Sequence, residues 1–220
     1  MADAEIPPQG DAAPEPGWVA PALAREFPGL TLATTTVDAG GGRSPAALKE
    51  RLKDLSDRFG GQQAIVLRQR PIPWAYRVFF RHIALDPDET PTPAEQVSLD
   101  RMRDGRYRSR NRVEDALTIA IAEVGVAVQA VDAAKIEGRL GLRLSEETET
   151  LEGRATPLEQ GTIVLVDEAR VLGLLFGPPA ESVTPTRSTE RTTLIAIGVK
   201  GVPEVALEEG LWVAASALLA

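Results

Sequence analysis

The sequence predicts an α+β fold, with helices in the N-terminal half, a mixed or antiparallel, β-rich and barrel-like core in the C-terminal half, and a closing C-terminal helix. Three observations lead there. Apolar residues recur at helical spacing between residues 44 and 124; short apolar runs divided by glycine, proline and acidic turns fill residues 126–199; and Pro203 opens a last apolar stretch that reaches Leu219. A chain of 220 residues with 43% hydrophobic content buries one substantial core, so residues 18–220 are read as a single domain behind a short tail.

The elements follow in order. Residues 1–17 hold four prolines and four acids and no base, too little apolar surface to offset the entropy of ordering, and a disordered tail is expected. Leu30 to Val37 is a β-rich strand running into the turn Gly40-Gly41-Gly42. That turn has no lysine at phosphate-loop spacing and is read as flexible. Ser44 caps the next helix, Pro45 takes its first position, Leu48, Leu52, Leu55 and Phe59 share a face, and Gly60 ends it. The run AIVLRQRPIP fits either a strand or a helix, and a helix is predicted from Pro73 to Ile83, with His82 as a packing residue. Thr92-Pro93-Ala94-Glu95 is a capping box opening a helix to about Arg103, stopped at Gly105.

The central helix is the clearest. Asn111 and Glu114 form a second capping box, Val113, Leu117, Ala120, Ile121 and Val124 recur at helical spacing, and Gly125 stops the run. Glu114, Asp115 and Thr118 fall on another face, beside the arginine-rich approach RMRDGRYRSR. A site and an ordinary solvated face are both open at this point. Beyond it, VAVQAV is extended, Asp132 caps a short turn, and RLGLRL, TIVLVD and VLGLLF are three strands. SEETETLEG reads as a solvated hairpin end, and a threonine-rich loop leads into a fourth strand, Thr193 to Val199.

Charge and composition narrow the function. The net charge of −8 argues against a protein that coats nucleic acid through charge alone. Its distribution is uneven: residues 64–113 carry ten arginines against six acids, leaving +4 there and −12 elsewhere. There is no cysteine and a single histidine, which leaves no thiol chemistry and no ordinary zinc set, and no metal or cofactor is expected. The N-terminal residues lack the apolar stretch of a signal peptide, and the longest apolar run, Leu211 to Ala220, is too short to span a bilayer, so a cytoplasmic protein without a membrane partner is expected.

Trp74, then Phe79-Phe80-Arg81, Asp86-Pro87, the Thr92 to Glu95 cap, Arg110-Asn111-Arg112-Val113-Glu114-Asp115 and Gly125 to Asp132 form an ordered series. In that order the chain resembles a stand-alone form of the tRNA-binding and editing module, the tandem third and fourth domains, of the bacterial phenylalanyl-tRNA synthetase beta subunit. The likeness covers about residues 20–215, including Leu172 to Gly177 and the threonine-rich loop before Leu194. The resemblance implies a cleft that hydrolyses tyrosine wrongly attached to tRNA. It also places the family's pocket asparagine on Thr118, with Leu117 where a threonine is usual, its histidine on Gln129, and its late glutamate near Ile197 or Gly198. Three polar positions of that pocket are thus replaced, and the catalytic residues are unknown.

The expectations are therefore these. A cleft beside the central helix is lined by Asn111, Asp115, Thr118 and Gln129 and closed by the loop bearing Thr189, Thr192 and Thr193. Arg101, Arg103, Arg106, Arg108, Arg110 and Arg112 contact RNA, and Tyr107 stacks on a base. The partner is tRNA or aminoacyl-tRNA, bound or deacylated in trans; the alternative is a small amino-acid-like ligand or a protein partner on a fold that has left RNA behind.

Overall fold

Two short strands precede the expected strand of the N-terminal region, where the sequence predicted none. A computed structural model describes residues 13–220, apart from the side chains of residues 63–65. Most of the expected tail lies outside the described residues. Its last part does not behave as a tail: β1 (Glu15–Pro16) pairs antiparallel with β3 (Thr31–Val37), and Gly17 N donates to Leu32 O at 2.8 Å. One residue later β2 (Trp18–Val19) joins a different sheet, pairing parallel with β5 (Gly141–Leu144). Leu23 on α1 (Pro21–Glu26) then packs into the core beneath it.

The helices follow: α2 (Ala46–Arg58), α3 (Gly61–Leu67), α4 (Pro71–His82), α5 (Pro93–Asp104) and α6 (Arg112–Val124), with α7 (Glu204–Leu219) closing the chain. The ambiguous run AIVLRQRPIP is helical through Leu67 and turns into α4 at Pro71, whose fixed φ suits a helix start. The capping box of Thr92 and Glu95 forms at α5; at α6 Asn111 caps through its Oδ1, which accepts from Glu114 N at 2.9 Å, while its Nδ2 donates to the Glu114 carboxylate at 2.6 Å in place of the backbone bond that would complete the box. Ser44 does not cap α2. Its hydroxyl donates instead to Asp115.

The remaining strands are β4 (Ala127–Asp132), β6 (Ile163–Val166), β7 (Val171–Leu174) and β8 (Thr192–Gly198). They form two open sheets, ordered β1-β3-β8-β4 and β2-β5-β6-β7, and among the described residues neither closes into the barrel that was expected. The first sheet is the middle layer of the molecule. Leu194 and Ala196 of β8 face α2, α6 and α7, while Ile195 and Ile197 face α4 and the second sheet, so every residue of β8 is buried. The second sheet supplies Leu142, Val164, Leu165 and Leu172 to that second core.

Two devices fix the loops that matter below. Tyr76 of α4 donates its hydroxyl to Ile197 O at 2.5 Å and accepts from Ala127 N at 3.1 Å, pinning α4 to the end of the β4/β8 pair; burial pushes this phenol well above its ordinary pKa. Arg77, also on α4 and buried, donates to Glu95 at 2.5 Å and to Asp88 at 2.6 Å, while Glu95 accepts from Thr92 N and Oγ1. The loop from 84 to 92 is therefore stapled between α4 and α5.

Candidate binding cleft

Each sheet has an open edge, β4 in one and β7 in the other, and a cleft of about 1110 Å³ lies against both. Its other walls are the C-terminal end of α4 with the 83–91 loop, the first turn of α5, and one face of α6 through Val113, Leu117 and Ile121. Phe27, Phe80 and Phe176 make it mainly apolar, and Phe176 packs on Phe80 with ring centroids 5.0 Å apart. The prolines of Phe176-Gly177-Pro178-Pro179 end the β7 strand and turn its backbone along the cleft.

Gln129 on β4 spans the two edges. Its Nε2 donates to Leu175 O at 3.1 Å and to Gly177 O at 3.0 Å, and two acceptors on one nitrogen fix which way the amide points. Its Oε1 is left buried with no partner among the described residues. A buried acceptor without a donor costs about 1–3 kcal/mol, so this atom rewards any ligand that brings an N–H or O–H. The charged side chains lining the cleft are Glu26, Glu114 and Glu159, with His82 exposed at its mouth; among the described residues no lysine or arginine lines it.

The expected site residues separate under this geometry. Asn111 and Gln129 line the cleft. Asp115 does not: it is 1% exposed and accepts from Ser44 Oγ, from Ser109 Oγ at 2.5 Å and from Arg110 N at 2.8 Å, so it ties the approach segment and the 42–44 loop to α6. Thr118 donates to Glu114 O at 2.8 Å and faces a neighbouring crevice, while Leu117 takes the cleft side of α6. The threonine-rich loop reaches the cleft through its start, Thr184 and Pro185, and not through the three threonines expected to close it. Thr189 donates to Asp132 at 2.6 Å, Thr192 to Ala39 O at 2.6 Å, and Thr193 pairs with Thr36 at 2.9 Å, all three buried at the far end of β8. Ile197 and Gly198 are core positions in that strand, with Ile197 O already taken by Tyr76.

The crevice between α5 and α6 has a volume of about 220 Å³ and shares Val97, Glu114, Leu117, Ile121 and Val128 with the cleft. Arg101, Arg106, Arg108 and Arg110 line it. Local carboxylates answer most of the segment's charge: Arg103 meets Asp100 at 2.9 Å and Asp104 at 3.2 Å, Arg108 meets Asp104 at 3.1 Å, and Arg110 meets Glu114 at 3.2 Å. These arginines stay 60% or more exposed, and such pairs contribute about 0–1 kcal/mol, so they exchange readily for another anion. Arg101 gives Nε and Nη2 to Ser56 O, Arg112 lies away from the crevice with a buried Nε that has no partner, and Arg106 makes no ion pair with the described residues. Tyr107 corrects the stacking expectation: it is 6% exposed and its ring packs on Phe59 at 6.0 Å, out of reach of a base.

Sequence reasoning missed Glu159, Gln96 and the Leu174 to Pro179 wall. The signal for the last was present, since an apolar strand running into glycine and two prolines leaves irregular backbone at a sheet edge. Among the described residues no cluster of His, Asp or Glu could hold a metal ion, and no helix is long and apolar enough to cross a membrane. No family model matches the chain, and no curated protein matches it in sequence.

Proposed function

We propose that this protein binds the aminoacyl end of a charged tRNA, with the cleft receiving the amino acid. One observation carries the reading: the cleft offers acceptors and no cation. An amino acid esterified to RNA keeps its ammonium group and has lost its carboxylate, so it is a cation with an apolar side chain. Glu26, Glu114, Glu159 and the partnerless Gln129 Oε1 suit that group, and a rim carboxylate contributes on the order of 1 kcal/mol to a cation it meets in water. A free amino acid or carboxylate metabolite would bring an anion to which the lining gives no lysine or arginine. The resemblance in the sequence to a tRNA-editing module supports the same ligand, and the arginine crevice next door supports an RNA carrier.

The test is a panel of aminoacyl-tRNAs, tyrosyl-tRNA among them, measured against the same tRNAs after deacylation. Charged tRNA is expected to bind more tightly than uncharged, with the preference reduced in Gln129→Leu. Equal affinity for charged and uncharged forms across the panel overturns the reading. Release of the amino acid faster than in buffer would add ester hydrolysis to binding.

A further inference from the structure

We infer that the crevice between α5 and α6 is a phosphate subsite, taking a backbone phosphate of the RNA that carries the aminoacyl group; this rests on the reading of the cleft just given. Three facts converge on it. The crevice is continuous with the cleft across Leu117 and Ile121, so a ligand with one end in the cleft lies along it. Arg106 lines it without an ion-pair partner among the described residues, and Arg108 and Arg110, themselves 63% and 60% exposed, meet only Asp104 and the pair Asp100 and Glu114. Tyr107, a buried residue, also lines it, and its hydroxyl makes no hydrogen bond.

That hydroxyl is the informative group. A buried O–H without an acceptor is rare in a folded protein; the guanidinium groups of the crevice have no acceptor to offer, and its carboxylates, Asp100, Asp104 and Glu114, are engaged by arginines and do not accept from this hydroxyl. What completes the set is an anion with several oxygens. Burial raises the Tyr107 phenol to about 12 despite the opposing Arg101 charge, so at neutral pH it holds its proton and can donate. The volume, about 220 Å³, is room for a phosphate group with a few waters at ~30 Å³ each. A phosphate contact carries no sequence information, so the subsite is indifferent to sequence. Charge is divided accordingly: the ammonium end meets the acidic cleft and the phosphate meets the arginines.

Binding of three probes by the full chain tests this: a short uncharged RNA ending in CCA, inorganic phosphate, and an amino acid methyl ester that reaches only the cleft. Arg106→Ala is expected to weaken RNA several-fold and to reduce the salt slope by about 0.7, the value for one phosphate contact on a single strand, while ester binding is unchanged. Tyr107→Phe, which removes only the partnerless oxygen, is expected to weaken RNA with the salt slope intact. Arg170→Ala, in the β6–β7 turn, serves as the control and should change neither. RNA affinity indifferent to both crevice variants overturns the subsite. Inorganic phosphate binding lost in Arg106→Ala, with no RNA binding in the unaltered protein, makes the occupant a free anion and overturns the RNA assignment. If the ester fails to bind while RNA still depends on Arg106, the crevice stands and the cleft reading falls.

Discussion

At the scale of single residues, the polar groups divide into those already satisfied and those that are not. Asp115 collects three donors from two segments, and Asp115→Asn turns one of them against an N–H; a loss of about 1–3 kcal/mol is expected in a denaturant melt, with the cleft walls unchanged. Tyr107→Phe acts in the opposite sense. It deletes a buried oxygen that bonds nothing, so the melting temperature should hold or rise, and a fall of several degrees would show that the hydroxyl has a protein partner. Sequence patterning marked both Asp115 and Tyr107 but misassigned each. A carboxylate on the polar strip of a helix looks the same whether it meets a ligand or a serine, and a tyrosine between arginines gives no sign that its ring is turned into the core against Phe59.

At the scale of elements, the staples that hold the cleft's loops set its stability. Arg77 and Glu95 are both buried, so Arg77→Met leaves a buried carboxylate facing only Arg68 and Thr92. A cost of about 3–5 kcal/mol is expected, with increased amide exchange in the 84–92 loop. Gly40 meets a different constraint: a Cβ built there would lie 1.5 Å from Thr189 O, so the glycine turn is packed against the threonine loop and Gly40→Ala should destabilise it, contrary to a flexible turn. The loop after β5 is pH-dependent. The bidentate hydrogen bond from Arg143, at 2.6 and 2.8 Å, holds the Glu149 carboxyl below its ordinary value. That stabilisation is present above the ordinary carboxylate range and is lost as the pH falls through the lowered value, so amide protection in residues 145–161 should drop below about pH 4, and in Glu149→Gln it should be reduced already at neutral pH and lack this pH dependence. The helix boundaries here were legible because caps are local chemistry: Thr92 with Glu95 and Asn111 with Glu114 each signal within four residues, and Gly105 and Gly125 mark the two ends. The strands β1 and β2 were not, since two-residue strands carry no period and depend wholly on β3 and β5 elsewhere in the chain.

At the scale of the whole molecule, function follows from where the two sheets stop. Their open edges, β4 and β7, face each other across the cleft, and Gln129 ties them while leaving one acceptor for a ligand. The sequence showed an α+β chain and the arginine-rich approach to α6; it could not show that Leu117 and not Thr118 faces the cleft, because a rotation of one residue about the helix axis decides it. Nor could it show that β8 is buried on both faces and so removes Thr192 and Thr193 from the site. The cleft favours a cation and gives an anion no lysine or arginine. Calorimetric titration of the full chain with L-tyrosine methyl ester and with free L-tyrosine at neutral pH tests it most directly. The ester is expected to bind at least about tenfold more tightly, equivalent to ~1.4 kcal/mol, with the difference shrinking at high salt and in Gln129→Leu. Free tyrosine binding as tightly as its ester, or more tightly, would contradict it.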